Sequence, residues 1–146
     1  MWNEIHNIRE LEAFMNTMHN FHDSCIKEIR YLSGAYVDNE KSMYPVNDCR
    51  VLNIIIQRQF DENPVIEMEF IGLKFLKLFP VDEQYTCEIL EATMIYKDSF
   101  IYWYDSSILS EKELDEYEGA IICGTRFRWR SLNGGIGEKQ LYSLSQ

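Results

Sequence analysis

Three arginines alternate with two large aromatic residues in the run Thr125-Arg126-Phe127-Arg128-Trp129-Arg130. Successive side chains of a β-strand point to opposite faces, so Arg126, Arg128 and Arg130 would share one face of such a strand. Phe127 and Trp129 would lie on the other face, and we expect both in the core. Guanidinium groups bind carboxylates and phosphates through paired N–H donors. The row therefore predicts either a ladder of ion pairs within the protein or a binding surface for an anionic small molecule.

Two glutamates, Glu67 and Glu69, form a second arrangement that could take part in catalysis. Residues two apart on a strand face are separated by about 6.6 Å at Cα, which is near the carboxylate separation of glycosidases. No recognisable sugar-binding context accompanies the pair. We instead expect both carboxylates to face solvent and to pair across the sheet with arginine or lysine.

One compact cluster holds potential metal ligands or catalytic groups, namely His19, His22, Asp23 and Cys25. A metal site needs three or four converging ligands, so we expect no metal here and interpret the segment around His22 as a turn between a helix and a strand. A nucleophilic pair of Cys25 with His22 would make the protein an enzyme, although neighbours on a turn rarely face each other at bonding distance. Since the sequence has no Gly-rich phosphate loop, we predict no cofactor.

The chain is acidic, with a net charge of −10 over 146 residues. Most of this charge lies in residues 81–118, which contain 11 acidic and 2 basic residues. A field of this sign repels phosphate backbones and attracts cationic partners. We therefore expect no binding to nucleic acid, and we expect the partner to be another protein, of basic character.

The location in the cell is predicted from the apolar pattern and the cysteines. No apolar run approaches the ~18 residues of a membrane-spanning helix, and the first residues do not resemble a secretory signal. The four cysteines, Cys25, Cys49, Cys87 and Cys123, are far apart and form no Cys-x-x-Cys pair. Widely spaced thiols of this kind are typical of reduced intracellular proteins. We therefore predict a cytoplasmic protein that does not associate with membranes.

The periodicity of the apolar residues predicts one α+β domain over residues 1–146. Apolar residues at spacings of three and four indicate an N-terminal helix over residues 3–20, with Asn3 as its N-cap. Residues 25–130 predict an antiparallel, mainly β sheet of six or seven strands, curled or two-layered, on which the helix packs. Residues 131–146 form a tail.

Shorter signals place individual elements within this sheet. Gly72 interrupts an alternating pattern and predicts a β-bulge or a change of phase in the alternation. Residues 85–97 and 100–105 predict a hairpin whose second strand is large and aromatic on both faces. Ser110 and Glu113 form a capping box, which predicts one short late helix that Gly119 would end.

The connection between the first two predicted strands, residues 34–48, is the segment where we expect a partner to bind. It is rich in turn-forming residues and is long for an irregular connection within a compact domain. Tyr36, Met43 and Tyr44 lie in it, and residues of these types are enriched in protein interfaces. The alternative is a surface loop without a role.

Three short motifs are spread over most of the chain: Phe21-His22-Asp23-Ser24-Cys25, Phe70-Ile71-Gly72-Leu73 and Arg128-Trp129-Arg130. At these motifs the chain resembles small uncharacterised bacterial proteins that begin with a Phe-His-Asp-Ser element and continue into an antiparallel sheet. Some of these proteins look like immunity proteins of toxin–antitoxin pairs. The resemblance implies a non-enzymatic binding protein, of which an immunity-type inhibitor of a basic toxin is one form.

Overall fold

The computed structural model describes residues 1–138 and residue 142, and its architecture is the predicted α+β class. One helix lies near the N-terminus, a seven-stranded antiparallel sheet forms the body, and a short helix follows late in the chain. In chain order the elements are β1 (Asn3–Ile5), α1 (Ile8–Thr17), β2 (Ser24–Leu32), β3 (Tyr36–Val37), β4 (Met43–Tyr44), β5 (Val51–Arg58), β6 (Val65–Leu78), β7 (Thr93–Lys97), β8 (Phe100–Tyr104), α2 (Glu111–Glu116) and β9 (Ala120–Ser131).

The sheet is open, and its strand order is β2-β5-β6-β9-β8-β7. The first strand, β1, lies beside β9 at the end that β8 does not reach, while β3 and β4 form a separate two-stranded sheet. Every strand pair within the described residues is antiparallel. Within the same part of the chain, no helix has the length and apolar character that crossing a bilayer requires.

The prediction of a helix over residues 3–20 is wrong at both ends. The helix begins at Ile8, because the Asn7 side chain, and not that of Asn3, caps it by accepting a hydrogen bond of 2.9 Å from the amide of Glu10. Residues 3–5 instead extend along β9, with Asn3 opposite Trp129. Pairing with a strand distant in sequence therefore overrides the local helical periodicity.

The C-terminal end of α1 is fixed by the burial of Phe21. After Thr17 the chain makes a 3₁₀ turn over His19–Phe21 in which all three residues have positive φ angles. This turn places the ring of Phe21 in the core against Phe14 and Trp103, at centroid distances of 5.8 and 5.5 Å. The apolar contact compensates for the backbone conformations, which are unfavourable for residues other than glycine.

A β-bulge occurs in β6, which continues as a strand to Leu78, but it lies just after Gly72 and not at the predicted residue. Gly72 has a φ angle of +65°, and the register against β9 shifts between Leu73 and Phe75. The hydroxyl of Thr125 donates a hydrogen bond of 2.9 Å to the carbonyl of Ile71 and fills the space above Gly72. A Cβ atom at Gly72 would therefore collide with Thr125.

We expect Gly72→Ala to lower the free energy of unfolding by about 1–3 kcal/mol, because it adds a Cβ at positive φ and in occupied space. The measurement is urea unfolding of Gly72→Ala in the natural background and in a Thr125→Ala background. Removal of the hydroxyl should relieve the steric part of the loss and leave the part due to φ. Equal losses in the two backgrounds would show that Thr125 does not restrict Gly72.

The hairpin of β7 and β8 is confirmed, but its first strand begins at Thr93 and not at residue 85. Residues 85–92 form no strand; Ile89 makes an isolated antiparallel bridge with Ser24. The amide of Ala92 donates to the carbonyl of Asn20. The segment is thus tied to the start of β2 and not to β8, which local periodicity does not reveal.

The late helix α2 has the predicted capping box, in which Ser110 and Glu113 exchange hydrogen bonds of 3.0 and 3.2 Å. Gly119 does not end the helix, because Tyr117 is already extended as the C-cap. The hydroxyl of Tyr117 donates to the carboxylate of Asp105 at 2.6 Å. Burial, together with this carboxylate, raises the pKa of Tyr117, so the phenol keeps the proton that it donates.

Two apolar clusters fill the two faces of the sheet. The larger lies under α1 and includes Ile101, Trp103 and Phe127, and the smaller lies under α2 and includes Tyr102 and Tyr104. The alternating residues of β8 therefore face two separate cores, so both faces of this strand are covered.

Candidate functional site

The arginine row on β9 forms a ladder of ion pairs with the two glutamates of β6. Arg128 Nε donates to Glu69 Oε1 at 2.6 Å, and Arg130 Nε donates to Glu67 Oε1 at 2.7 Å. Asn53 on β5 donates to the second oxygen of both carboxylates, at 2.7 Å to Glu67 and 3.0 Å to Glu69. The predicted cross-strand pairing of the glutamates with arginine is thus confirmed.

The prediction that these glutamates face solvent is wrong. Glu67 is fully buried and Glu69 is 5% exposed. They lie on a central strand between β5 and β9, and burial is tolerated because each carboxylate accepts a charge-assisted hydrogen bond and one from an amide. With their oxygens occupied in this way, the two carboxylates are not placed to act on a sugar.

Trp2 covers this ladder from the side of β1. Its ring lies 4.3 Å from the guanidinium carbon of Arg128 and 4.6 Å from that of Arg130, within the range of cation–π contacts. Arg126 differs from the other two, since its side chain is 63% exposed and its contact with Glu4 is 3.6 Å long. Arg128 and Arg130 are thus engaged by a carboxylate and by the ring of Trp2, and their side chains keep 28% and 21% exposure.

The predicted partner segment, residues 34–48, contains a small hairpin and is not irregular throughout. β3 and β4 pair with Tyr36 opposite Tyr44, and their rings stack at a centroid distance of 4.8 Å with an angle of 8° between planes. Asp38 holds the turn, because its Oδ1 accepts hydrogen bonds from the amides of Glu40 and Ser42 at 2.9 and 3.0 Å. Turn chemistry and aromatic stacking thus order a segment whose composition is typical of a loop.

Four apolar side chains of this hairpin are accessible. Tyr36, Val37, Met43 and Tyr44, which we name the hairpin surface, are between 43% and 64% exposed. The stacked tyrosines lie on one face of the two-stranded ribbon, and Val37 and Met43 lie on the other. The structure thus brings together the three predicted interface residues, Tyr36, Met43 and Tyr44, while the three arginines form a separate group.

His22 and Cys25 do not form a catalytic pair in the structure. His22 Nδ1 lies 3.3 Å from the carbonyl oxygen of Leu90, and Nε2 lies 3.3 Å from the carboxylate of Asp23. Cys25 faces a cleft of about 600 Å³ that Cys87 and Gln57 also line and that His22 does not. Burial raises the pKa of the Cys25 thiol, which disfavours the nucleophilic thiolate.

The histidines also lack the arrangement of a metal centre. His19 stacks on the ring of Phe60 at a centroid distance of 4.6 Å. Across residues 1–138 and 142, no three histidine, cysteine, aspartate or glutamate side chains converge as metal ligands would. The segment from His19 to Ser24 thus turns the chain from helix to strand, in agreement with its predicted conformation.

One surface feature was not found from the sequence: an apolar groove of about 460 Å³ between the edge strand β2 and the end of β6. Leu78, Phe79 and Val81 form its outer wall and are about half exposed. The available signal was the run of apolar residues interspersed with acidic ones from residue 78 to residue 91. Its local periodicity led to the assignment of the second half of that run to a strand, so no exposed apolar face was expected there.

No family model, curated protein or solved structure matches this chain. The function is therefore inferred from the geometry of its own surfaces.

Proposed function

We propose that this protein is a non-enzymatic binding protein that holds another protein through the hairpin surface. The observation that carries the proposal is the exposed, stacked pair of Tyr36 and Tyr44. Tyrosine contributes a large contact area, and a ring already held by its neighbour loses little conformational entropy on binding. Val37 and Met43 make the opposite face of the same hairpin apolar as well.

The proposed partner is basic. The motif resemblance favours one form of this proposal, in which the protein inhibits a basic toxin as an immunity protein does. The excess of acidic residues over 81–118 supports a cationic partner, since complementary charge accelerates encounter and disfavours partners of like charge. The proposal includes a cytoplasmic location and no binding to nucleic acid or membrane.

We expect the double substitution Tyr36→Ser/Tyr44→Ser to weaken partner binding at least tenfold, because buried tyrosines commonly account for ~2 kcal/mol or more of a binding free energy. The natural protein and the variant are each used as bait in extracts of the source cell, and the captured proteins are quantified by mass spectrometry. The enriched protein is then purified and its affinity for both baits is measured.

The control is Ile108→Ser, since Ile108 is an apolar residue that is 76% exposed but lies outside the hairpin. Its captured proteins should equal those of the natural protein. Unchanged affinity of the Tyr36→Ser/Tyr44→Ser variant for the purified partner would exclude the hairpin as the binding surface.

A further inference from the structure

The apolar groove lies between two parts of the chain, the edge strand β2 and the segment that follows β6. One wall consists of Ile26 and Ile29 on β2, an edge strand that pairs with β5 and, at Ser24 alone, forms a bridge with Ile89. Both isoleucines are partly buried and pack on the larger core. The opposite wall is formed by Phe79 and Val81, which follow β6. The groove therefore opens directly onto the core.

Acidic residues adjoin the lining of the groove in the sequence. Asp82 and Glu83 directly follow Val81, Glu88 lies between Cys87 and Ile89, and Glu91 lies two residues after Ile89; we name these four residues the acidic rim. Residues 78–96 contain no lysine or arginine. The one carboxylate inside the groove, that of Asp105, accepts hydrogen bonds from Tyr117 and from the amide of Ala120 and is thus occupied. The rim carboxylates are available to a ligand, since no ion pair joins any of the four to a basic side chain within the described residues.

Exposed apolar side chains continue along this segment beyond the groove itself. Tyr85 and Leu90 are 72% and 70% exposed, and they alternate in sequence with the rim acids. Accessible apolar residues rimmed by polar ones mark interaction sites on soluble proteins. All four charged side chains of the rim are negative, so the rim favours a positively charged ligand.

We propose that this groove binds a basic amphipathic segment of a partner protein. The apolar side chains of the segment fill the groove between Ile29 and Phe79, and its lysine and arginine side chains contact the acidic rim. The inference rests on the proposed function in that the ligand is a protein, but the groove and the hairpin surface share no residue. The two sites can therefore be tested separately.

The probe is a fluorescein-labelled synthetic 18-residue peptide of leucine and lysine with the leucines on one helical face. Two further peptides serve as controls: one with glutamate in place of every lysine, and one of the same composition in which the leucines are scattered around the helix. Fluorescence anisotropy should show saturable binding of the amphipathic basic peptide, weakened by salt. The other two peptides should bind at least tenfold more weakly.

Variants of the groove and of its rim test whether the peptide binds in the groove. We expect Phe79→Ser/Val81→Ser to weaken binding of the basic peptide about tenfold, because both side chains line the groove. Asp82→Asn/Glu83→Gln should weaken it about threefold and reduce its dependence on salt. The matched control is Asp115→Asn/Glu116→Gln, which removes the same charge from α2 and should change the affinity less than twofold.

Equal losses from the rim and α2 variants would overturn the proposal, because they would show attraction to net charge alone. Full affinity of the Phe79→Ser/Val81→Ser variant, with its fold verified by circular dichroism, would overturn it as well. The variant Tyr36→Ser/Tyr44→Ser should bind the peptide as the natural protein does. Loss of the natural partner on that substitution, with peptide binding retained, would confirm the proposed function and the groove as separate findings.

Discussion

Replacement of Arg130 by methionine is expected to lower the free energy of unfolding by about 3–5 kcal/mol, measured by urea denaturation. The reason is the position of its partner: Glu67 is fully buried, and Arg130 donates to it at 2.7 Å. Without the guanidinium, the carboxylate of Glu67 remains buried with only the hydrogen bond from Asn53. A buried charge that loses its counter-charge costs several kcal/mol in proteins, far more than the pair contributes when intact.

Two variants test whether burial is the cause of this loss. Arg126→Met makes the same chemical change on the same strand face, but its contact with Glu4 is long and exposed, so we expect a loss of at most about 1 kcal/mol. The double substitution Glu67→Leu/Arg130→Met should recover most of the stability, because it leaves no unpaired charge. Similar costs for Arg126→Met and Arg130→Met would contradict the ladder described above.

The ladder also revises the expectation for Arg128. From the sequence alone, Arg128→Ala would be a mild surface change, since the glutamates were expected in solvent. Because Arg128 pairs at 2.6 Å with Glu69, which is itself buried, we now expect Arg128→Ala to destabilise the protein about as much as the loss of Arg130.

Substitution of Phe127 by alanine is the second change with a large expected effect, about 3–5 kcal/mol in the free energy of unfolding. Phe127 is buried, and its ring lies 5.2 Å from that of Phe14 on α1 and 4.9 Å from that of Phe70 on β6. Its removal leaves a cavity at the point where the helix packs on the sheet, and the surrounding rings are held by other contacts and cannot fill it.

The matched control for Phe127→Ala is Phe79→Ala, because Phe79 is half exposed in the groove and its substitution should cost less than about 1 kcal/mol. Trp129, which the sequence places on the same face as Phe127, is only partly buried against the core. We therefore expect Trp129→Ala to cost less than Phe127→Ala. A reversed order of these two losses would show that the core is centred on Trp129.

The fold was predicted well where local patterns and tertiary structure agree. The alternation of Arg126 to Arg130 predicted both the strand and the separation of its faces, and the capping box of Ser110 predicted α2. The prediction failed at the N-terminus, where the periodicity of an amphipathic helix is compatible with residues 3–5. Those residues form a strand because β9 presents a free edge there, and no local pattern can indicate that edge.

The candidate sites, like the fold, were predicted where local patterns suffice and missed where distant contacts decide. Tyr36, Met43 and Tyr44 were identified from residue type and from the length of their segment, but the stack of the two tyrosines depends on a register that Asp38 sets. The pairing of Glu69 with Arg128 followed from charge and strand geometry. The burial of Glu69 did not follow, since it depends on the position of β6 between β5 and β9 and on Asn53, which is distant in sequence.

The position of β9 in the sheet has a consequence for how the chain folds. It is the last strand in the described part of the chain, and β6, β8 and β1 all pair with it; Asn3, near the start, lies opposite Trp129. Contacts between residues so far apart slow folding, because the chain must lose entropy before they form. A nascent chain that stops before Ala120 would expose the edge of β6 along its whole length, and exposed strand edges promote aggregation. We therefore infer that shortened chains aggregate and do not form a smaller folded protein.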